Sequence, residues 1–197
     1  MTPTDGPRLS RLALTRRLVG MLTAGEAIVA GIGNTNFDLA AAAPGRPENF
    51  YMLGSMGLAT SIALGVALQQ PGRRVFALEG DGSILMNLGS LATIATAAPR
   101  NLTVIIWDNG AYQITGGQPA ATARGTDLVT IARGAGFATS RAVRDEDDFA
   151  AAVAAALATD GPHFLVARVD ASPGAARPER DAVLLKDRFM RGIGARA

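Results

Sequence analysis

Gly80-Asp81-Gly82-Ser83 and Asp108-Asn109-Gly110-Ala111-Tyr112 decide how this chain is read. An apolar segment precedes each: Arg74-Val75-Phe76-Ala77-Leu78 before the first, Leu102-Thr103-Val104-Ile105-Ile106-Trp107 before the second. Between them, Leu88-Gly89-Ser90-Leu91-Ala92-Thr93-Ile94-Ala95 carries a small-residue helical pattern. Strand, helix and strand make a βαβ unit. In a parallel sheet its two polar groups fall at the carboxyl ends of neighbouring strands, where open α/β sheets bind ligands. Asp81 offers a carboxylate oxygen and Asn109, 28 positions on, an amide oxygen. Both are hard donors that suit Mg²⁺ better than zinc. Gly80 and Gly82 permit close backbone approach, and the amides of Gly82 and Ser83 stand where a helix begins. Together these residues read as a diphosphate held through one Mg²⁺, against the plainer alternative of a tight βαβ turn with a capping Asp.

The 197 residues suffice for one well-buried domain. Apolar residues make up 48%, with 23 glycines and few aromatics, which favours an α/β domain with close helix–sheet packing. The net charge of +2 and the arginine-rich balance give no basic nucleic-acid face. The absence of cysteine excludes disulfides, thiolate metal sites, iron–sulfur clusters and cysteine nucleophiles. Arg8, Arg11, Arg16 and Arg17 are not followed by an apolar core of signal-peptide type. Residues 49–72 carry no charge and match a membrane span in length. Asn49, Ser55, Thr60, Ser61, Gln69, Gln70 and Pro71 argue instead for a helix buried beneath a sheet. The expectation is a soluble cytoplasmic protein with neither membrane nor nucleic acid as partner.

Leu9, Leu12, Ala13, Leu18, Val19 and Leu22 predict an amphipathic helix over 9–22, with Ser10 as a cap. Residues 27–32 read as the first buried strand. It ends in Gly31-Ile32-Gly33-Asn34-Thr35-Asn36, without the third glycine of a dinucleotide-binding turn. Residues 40–49, with Pro44, Gly45 and Pro47, are expected to be a loop. Tyr51-Met52-Leu53-Gly54-Ser55-Met56-Gly57 follows and leads into a helix over 58–68. Beyond Tyr112 a polar, glycine-containing loop runs to Thr126. Its Thr115-Gly116-Gly117-Gln118 either presents amides and a hydroxyl to an anion or belongs to a mobile lid. Asp127 caps a helix over 128–135, a strand lies near 139–143, and Asp145 starts an alanine-rich helix over 148–157 with acids in its first turn. Residues 163–169 form the last core strand. His163, the only histidine, begins it and reads as structural. The chain divides into a domain over 1–175 and a tail over 176–197. The tail ends in a helix over 181–191 whose Leu184, Leu185, Phe189 and Met190 offer a docking face for a partner.

GDGS followed at this spacing by DNGAY resembles the signature of enzymes that use thiamine diphosphate (ThDP). The resemblance implies a three-layer, doubly wound, mostly parallel α/β sheet: the diphosphate-binding domain of that family. It implies Mg²⁺ ligands at Asp81, Asn109 and the carbonyl of Ala111, with Asp108 standing where many relatives have asparagine. It places cofactor contacts at Gly82, Ser83 and Tyr112, and at Asn34, for which a helix cap is the other reading. Gly54-Ser55-Met56-Gly57 is similar to the family's second element. The resemblance makes the Gly54 carbonyl the acceptor for the cofactor's 4′-amino group. It makes Met56, beside Ser55, the wedge that bends the two rings, a role suited to an apolar, adaptable side chain.

In that family a glutamate on a separate pyrimidine-binding domain bonds the pyrimidine N1′. Glu26, Glu48, Glu79, Glu146 and Glu179 match no such motif. The resemblance therefore implies a split enzyme: a pyrimidine-domain α subunit as partner, in a hetero-oligomer such as α₂β₂ or larger. Residues 82–91, Thr115-Gly116-Gly117-Gln118 and Lys186-Asp187-Arg188-Phe189-Met190-Arg191 are most similar to the β subunits of sulfopyruvate decarboxylases, which are related to phosphonopyruvate decarboxylases. That implies non-oxidative decarboxylation of a small 2-oxo acid with a second anionic group. Thr115, Gly116, Gly117 and Gln118 would stand beside the reacting carbon, and Arg124 or a partner arginine would balance the extra charge. A carboligase subunit of acetolactate-synthase type and a non-catalytic, regulatory ThDP-binding subunit are the alternatives. The missing cysteines disfavour a split oxidoreductase of the pyruvate:ferredoxin type.

Overall fold

A computed structural model describes residues 8–196. Its elements run α1 (Arg11–Gly20), β1 (Ala27–Ala30), α2 (Asn34–Ala42), β2 (Asn49–Tyr51), α3 (Ala59–Gln69), β3 (Val75–Gly80), α4 (Asp81–Ile84), α5 (Gly89–Ala97), β4 (Leu102–Asp108), β5 (Ala111–Tyr112), β6 (Gln118–Pro119), α6 (Leu128–Gly134), β7 (Thr139–Val143), α7 (Glu146–Ala158), β8 (His163–Arg168) and α8 (Ala182–Gly192). Six strands form one sheet in the order β2-β1-β3-β4-β8-β7, and each neighbouring pair is parallel.

The alternation of side chains along each strand divides the apolar runs between two faces. Val29, Ala77, Val104 and Phe164 point to one face, under Ala63 of α3, Ile94 of α5 and Ala132 of α6. Ile28, Phe76, Ile105 and Leu165 point to the other, under Leu14 and Leu18 of α1, Leu39 of α2 and Phe149 of α7. Helices on both faces are what a parallel sheet requires, and explain why the strands read as unbroken apolar runs. Side-chain oxygens start four helices: Ser10, Asp127, Asp145 and Asp181 each accept from first-turn amides. The uncharged run over 49–72 resolves into β2, a turn and the 11-residue α3. Among the described residues no helix is long and apolar enough to cross a membrane.

Three stretches differ from expectation. The loop predicted over 40–49 is shorter, because α2 reaches Ala42 and β2 begins at Asn49. A three-residue strand is too short to show a period. Residues 111–124 hold a small hairpin in place of an irregular loop. Tyr112 pairs with Gln118 and Ala111 with Pro119, with 3₁₀ turns at Gln113–Thr115 and Ala121–Arg124.

The tail helix is the third difference. Leu185 and Phe189 of α8, expected to face a partner, are buried in this chain's own core. Phe189 stacks on Phe50 of β2 with ring centroids 5.3 Å apart, and Gln70 Nε2 donates to Ile193 O. The helix covers the free edge of β2, the usual way to protect unpaired strand hydrogen-bonding groups. Of the expected docking face only Leu184 stays largely out, at 49% exposure, next to Val183 at 74%. His163 is buried at the start of β8, where burial holds its pKa below the usual value and Thr159 is its neighbour.

Phe189→Ala should therefore cost about 3 kcal/mol of unfolding free energy, the scale of a core aromatic truncation. Leu184→Ala on the same helix should stay within about 0.5 kcal/mol. Urea unfolding of the two variants separates these outcomes, and equal costs would mean that α8 is not docked as described.

Candidate functional site

From β1 the chain leaves to one side, toward β2, and from β3 it leaves to the other, toward β4. The adjacent carboxyl ends of β1 and β3 thus form a topological switch point, where open α/β sheets leave a crevice. A cavity of about 690 Å³, counting the open space at its mouth, lies there. That is within the range of small-molecule sites, ~300–1,000 Å³. Of the expected residues, Asn34, Met56, Asp81, Gly82, Ser83, Asn109, Ala111, Tyr112 and Thr115 line it. Gly54, Ser55, Gly116, Gly117 and Gln118 do not.

Asp81 is the first residue of α4, directly after β3. The β3–β4 register sets Gly80 beside Trp107, so Asp81 and Asp108 emerge together. Thr122 Oγ1 donates to Asp81 Oδ2 at 2.5 Å. Burial, with the charge of Asp108 adding to it, lifts the Asp81 carboxyl to about 6. Asp108 Oδ1 accepts from the Gly110 amide at 3.1 Å. Asn109 Oδ1 accepts from Ala111 N at 3.1 Å, and its Nδ2 donates to Gln113 Oε1 at 3.2 Å.

Two buried acids, Asp81 and Asp108, with the Asn109 carboxamide beside them are oxygen donors of the kind a divalent ion takes. Among the described residues no group of three or more His, Cys, Asp or Glu is placed to hold a metal. The donor set therefore fits an ion that takes its remaining ligands from phosphate and water, as Mg²⁺ does. Trp107 also lines the cavity, and its buried Nε1 lacks a hydrogen-bond partner, an unused donor of the kind that calls for explanation.

Met56 is held from below by a buried network. Ser83 Oγ donates to Glu79 Oε2 at 2.5 Å and accepts from Gly57 N at 2.8 Å. Glu79 Oε1 accepts from Ala59 N at 3.0 Å, at the start of α3, and Asn87 Nδ2 donates to Gly57 O at 3.0 Å. Gly57 has φ +82°, and a Cβ there would stand 2.7 Å from Asn87 Cβ, so only glycine fits. The turn that presents Met56 is thus bolted to the GDGS segment. Burial raises the Glu79 carboxyl to about 7, against the pull of its hydrogen bonds. Ser55 in the same turn has φ +58°, rare outside glycine, and is exposed.

The hairpin brings one of the four expected substrate-loop residues to the cavity. Gln118 folds back: its Nε2 lies 3.4 Å from Thr115 O, and its carboxamide covers Gly116, where a Cβ would meet it at 2.7 Å. Thr115 alone of the four lines the cavity. Arg124 sits exposed on the following 3₁₀ turn and is not part of the lining.

Several residues of the site carry no local signal. Gln113 Oε1 accepts from Asn34 Nδ2 at 2.7 Å as well as from Asn109, and its Nε2 donates to Ala171 O. Arg11, one of several N-terminal charges in the sequence, is buried and lines the cavity; its Nε pairs with Asp38 Oδ2 at 2.7 Å. Thr122 lies 41 positions from the carboxylate it touches. Such partners meet only through the fold.

Residues 31–167 match the family described as thiamine pyrophosphate enzyme, C-terminal TPP binding domain. The chain is 39% identical over 184 residues to the phosphonopyruvate decarboxylase of Streptomyces viridochromogenes, covering 92% of this chain but only 46% of that enzyme. It is 40% identical over 188 residues to the sulfopyruvate decarboxylase subunit beta of Methanothermobacter thermautotrophicus, covering 94% of this chain and 96% of that subunit. The thiamine diphosphate-dependent 4-hydroxybenzoylformate decarboxylase of Rhodococcus jostii RHA1 superposes with a TM-score of 0.71 over 86% of this chain and 34% of its own, at 23% identity, a likeness of fold.

The Glu79 network makes a pH prediction. A carboxyl whose folded pKa stands above its unfolded value of 4.5 contributes stability fully below that value and loses it as pH rises through about 7. Urea midpoints of the chain should therefore fall between pH 5 and pH 8. Glu79→Gln retains hydrogen-bonding groups without the charge and should flatten that fall. Glu79→Ala strands two buried partners and should cost on the order of 3 kcal/mol. An unchanged pH dependence in Glu79→Gln would remove Glu79 as its source.

Proposed function

The chain belongs to the thiamine pyrophosphate enzymes, as their C-terminal TPP-binding domain, and on that premise we propose that it is the β subunit of a split ThDP- and Mg²⁺-dependent decarboxylase. Its substrate is a small 2-oxo acid with a second anionic group, sulfopyruvate first and phosphonopyruvate second. The observation that carries this reading is the shared lining of one switch-point cavity by Asp81, Asn109 and Met56. The named substrates of the relatives, and the near full-length match to a β subunit, support the substrate class and the split.

In this reading Asp81, Asn109 and the Ala111 carbonyl would hold Mg²⁺, and Asn34, Gly82, Ser83 and Tyr112 would contact the cofactor. The cation favours the ionised form of Asp81 and offsets the burial and the Asp108 charge that oppose it. The Gly54 carbonyl, which lies outside the cavity lining, would accept from the cofactor's 4′-amino group, and Met56 would pack against its rings. When bound, ThDP supplies the carbon nucleophile and the electron sink for loss of CO₂. Asp81 is the only carboxylate lining the cavity among the described residues. The glutamate that activates the pyrimidine is therefore assigned to a pyrimidine-domain α subunit, in an assembly such as α₂β₂.

Two variants separate anchoring from activation. Asp81→Ala should abolish ThDP binding by the assembled enzyme, measured by calorimetry. Met56→Ala should leave that affinity largely intact and lower turnover. Unchanged affinity in Asp81→Ala overturns the metal assignment.

The substrate reading is tested by comparing kcat/KM for sulfopyruvate, phosphonopyruvate and pyruvate, following CO₂ and the organic product. The expected order places sulfopyruvate first and pyruvate far behind, because donors for a second anion stay unfilled with pyruvate. A preference for pyruvate with accumulation of acetolactate supports the carboligase instead. Binding of ThDP without turnover of any 2-oxo acid supports a regulatory subunit.

A further inference from the structure

A second cavity, about 430 Å³ with its open mouth, adjoins the first. Ile32, Gly33 and Ile114 line both, and Ile114 packs onto Gly33 so closely that a Cβ there would stand 3.0 Å from its Cγ1. Phe37, Met52, Leu53 and Pro178 make the rest of the second wall largely apolar. Its charged lining residues are Arg177 and Arg180.

Neither guanidinium has a carboxylate within ion-pair distance among the described residues. Arg177 lies over the Phe37 ring, 5.9 Å from its centroid. The acids nearest in sequence are turned to backbone: Glu179 Oε1 accepts from the amides of Arg180 and Asp181, and Asp181 Oδ1 caps α8. The segment that carries the arginines is tied down. Ser172 O accepts from Arg11 Nη2 at 2.7 Å, Gly174 N donates to Asn34 Oδ1 at 3.1 Å, Ala175 N to Asp38 Oδ1 at 2.9 Å, and Ala176 N to Phe37 O at 3.2 Å. Gly174 presses on Phe37, where a Cβ would stand 2.3 Å from Phe37 Cβ. Asn34 thus lines the cofactor cavity and anchors the strap at once.

We infer that Arg177 and Arg180 bind the second anionic group of the 2-oxo acid, with the reacting carbon in the first cavity and the sulfonate or phosphonate in the second. The inference rests on the decarboxylase reading above and identifies residues for its specificity. A tetrahedral anion with three acceptor oxygens matches two guanidinium forks. Both arginines are exposed, so they meet the anion at the open side of the second cavity. Arg124 lines neither cavity.

The test uses the assembled enzyme carrying Arg177→Met, Arg180→Met or both, since methionine keeps an apolar stem. Each single change should lower kcat/KM for sulfopyruvate by ~10- to 100-fold, the range of a lost charge-assisted hydrogen bond, chiefly through KM. The value for pyruvate, ThDP affinity and melting temperature should hardly move, and lysine at either position should restore part of the loss. Equilibrium binding of 3-sulfolactate, which carries both anions but no 2-oxo group, should weaken in parallel. A double variant that keeps the wild-type preference for sulfopyruvate overturns the inference, as does an equal loss toward pyruvate. If the wild-type enzyme shows no such preference, the decarboxylase reading falls by itself. The anion site then stands only if wild type binds 3-sulfolactate and the double variant does not, and falls otherwise.

Discussion

All six strands of the main sheet run parallel, so their carboxyl ends meet along one edge. Parallel pairing forces each connection to cross a face of the sheet, which buries both faces and leaves little room for polar groups inside the strands. Polar residues therefore collect at the strand ends. The reversal of winding between β1 and β3 opens those ends into a crevice. Asp81, Asn109 and Asn34 share one cavity because of this, although they follow three different strands.

The site is built from buried polar groups, and the chain satisfies some of them by itself. The Glu79 carboxyl receives Ser83 and the Ala59 amide, so the costly burial of an acid is compensated locally. That network joins the start of α3 to the start of α4, and Met56 rides on the join. Asp81 is treated differently. It has one hydroxyl donor, Thr122, while burial and the nearby charge of Asp108 oppose its ionisation. Both are effects that the cation of the proposed reading would offset. On the proposed reading, the contrast between the two carboxylates separates a fold-holding role from a ligand-holding one within three residues of sequence.

The C-terminal segment changes meaning between sequence and structure. Its apolar positions look like a partner surface, yet Leu185 and Phe189 seal the β2 edge. The segment that leads to it is not loose either, because four hydrogen bonds lash it to α1 and α2. Both facts follow from the edge position of β2. An unprotected edge strand needs cover, and the chain beyond β8 supplies it after crossing the mouth of the site.

The sequence by itself determined the parallel α/β class, the longer strands and helices, and the oxygen-donor pair at two strand ends. Those features are local: apolar runs mark buried strands, Ser10, Asp127, Asp145 and Asp181 mark helix starts, and GDGS and DNGAY place backbone and side-chain donors within a few residues. Only the tertiary structure decided which strands lie side by side, that β5 and β6 form a hairpin, and that Gln118 turns away from the cavity while Gln113 turns into it. It alone brought Thr122 to Asp81, Arg11 to Asp38, and Arg177 and Arg180 to the wall shared through Gly33 and Ile114. Contacts between residues dozens of positions apart leave no period or spacing in the chain, because they are set by strand order and by the path of the loops across the sheet edge.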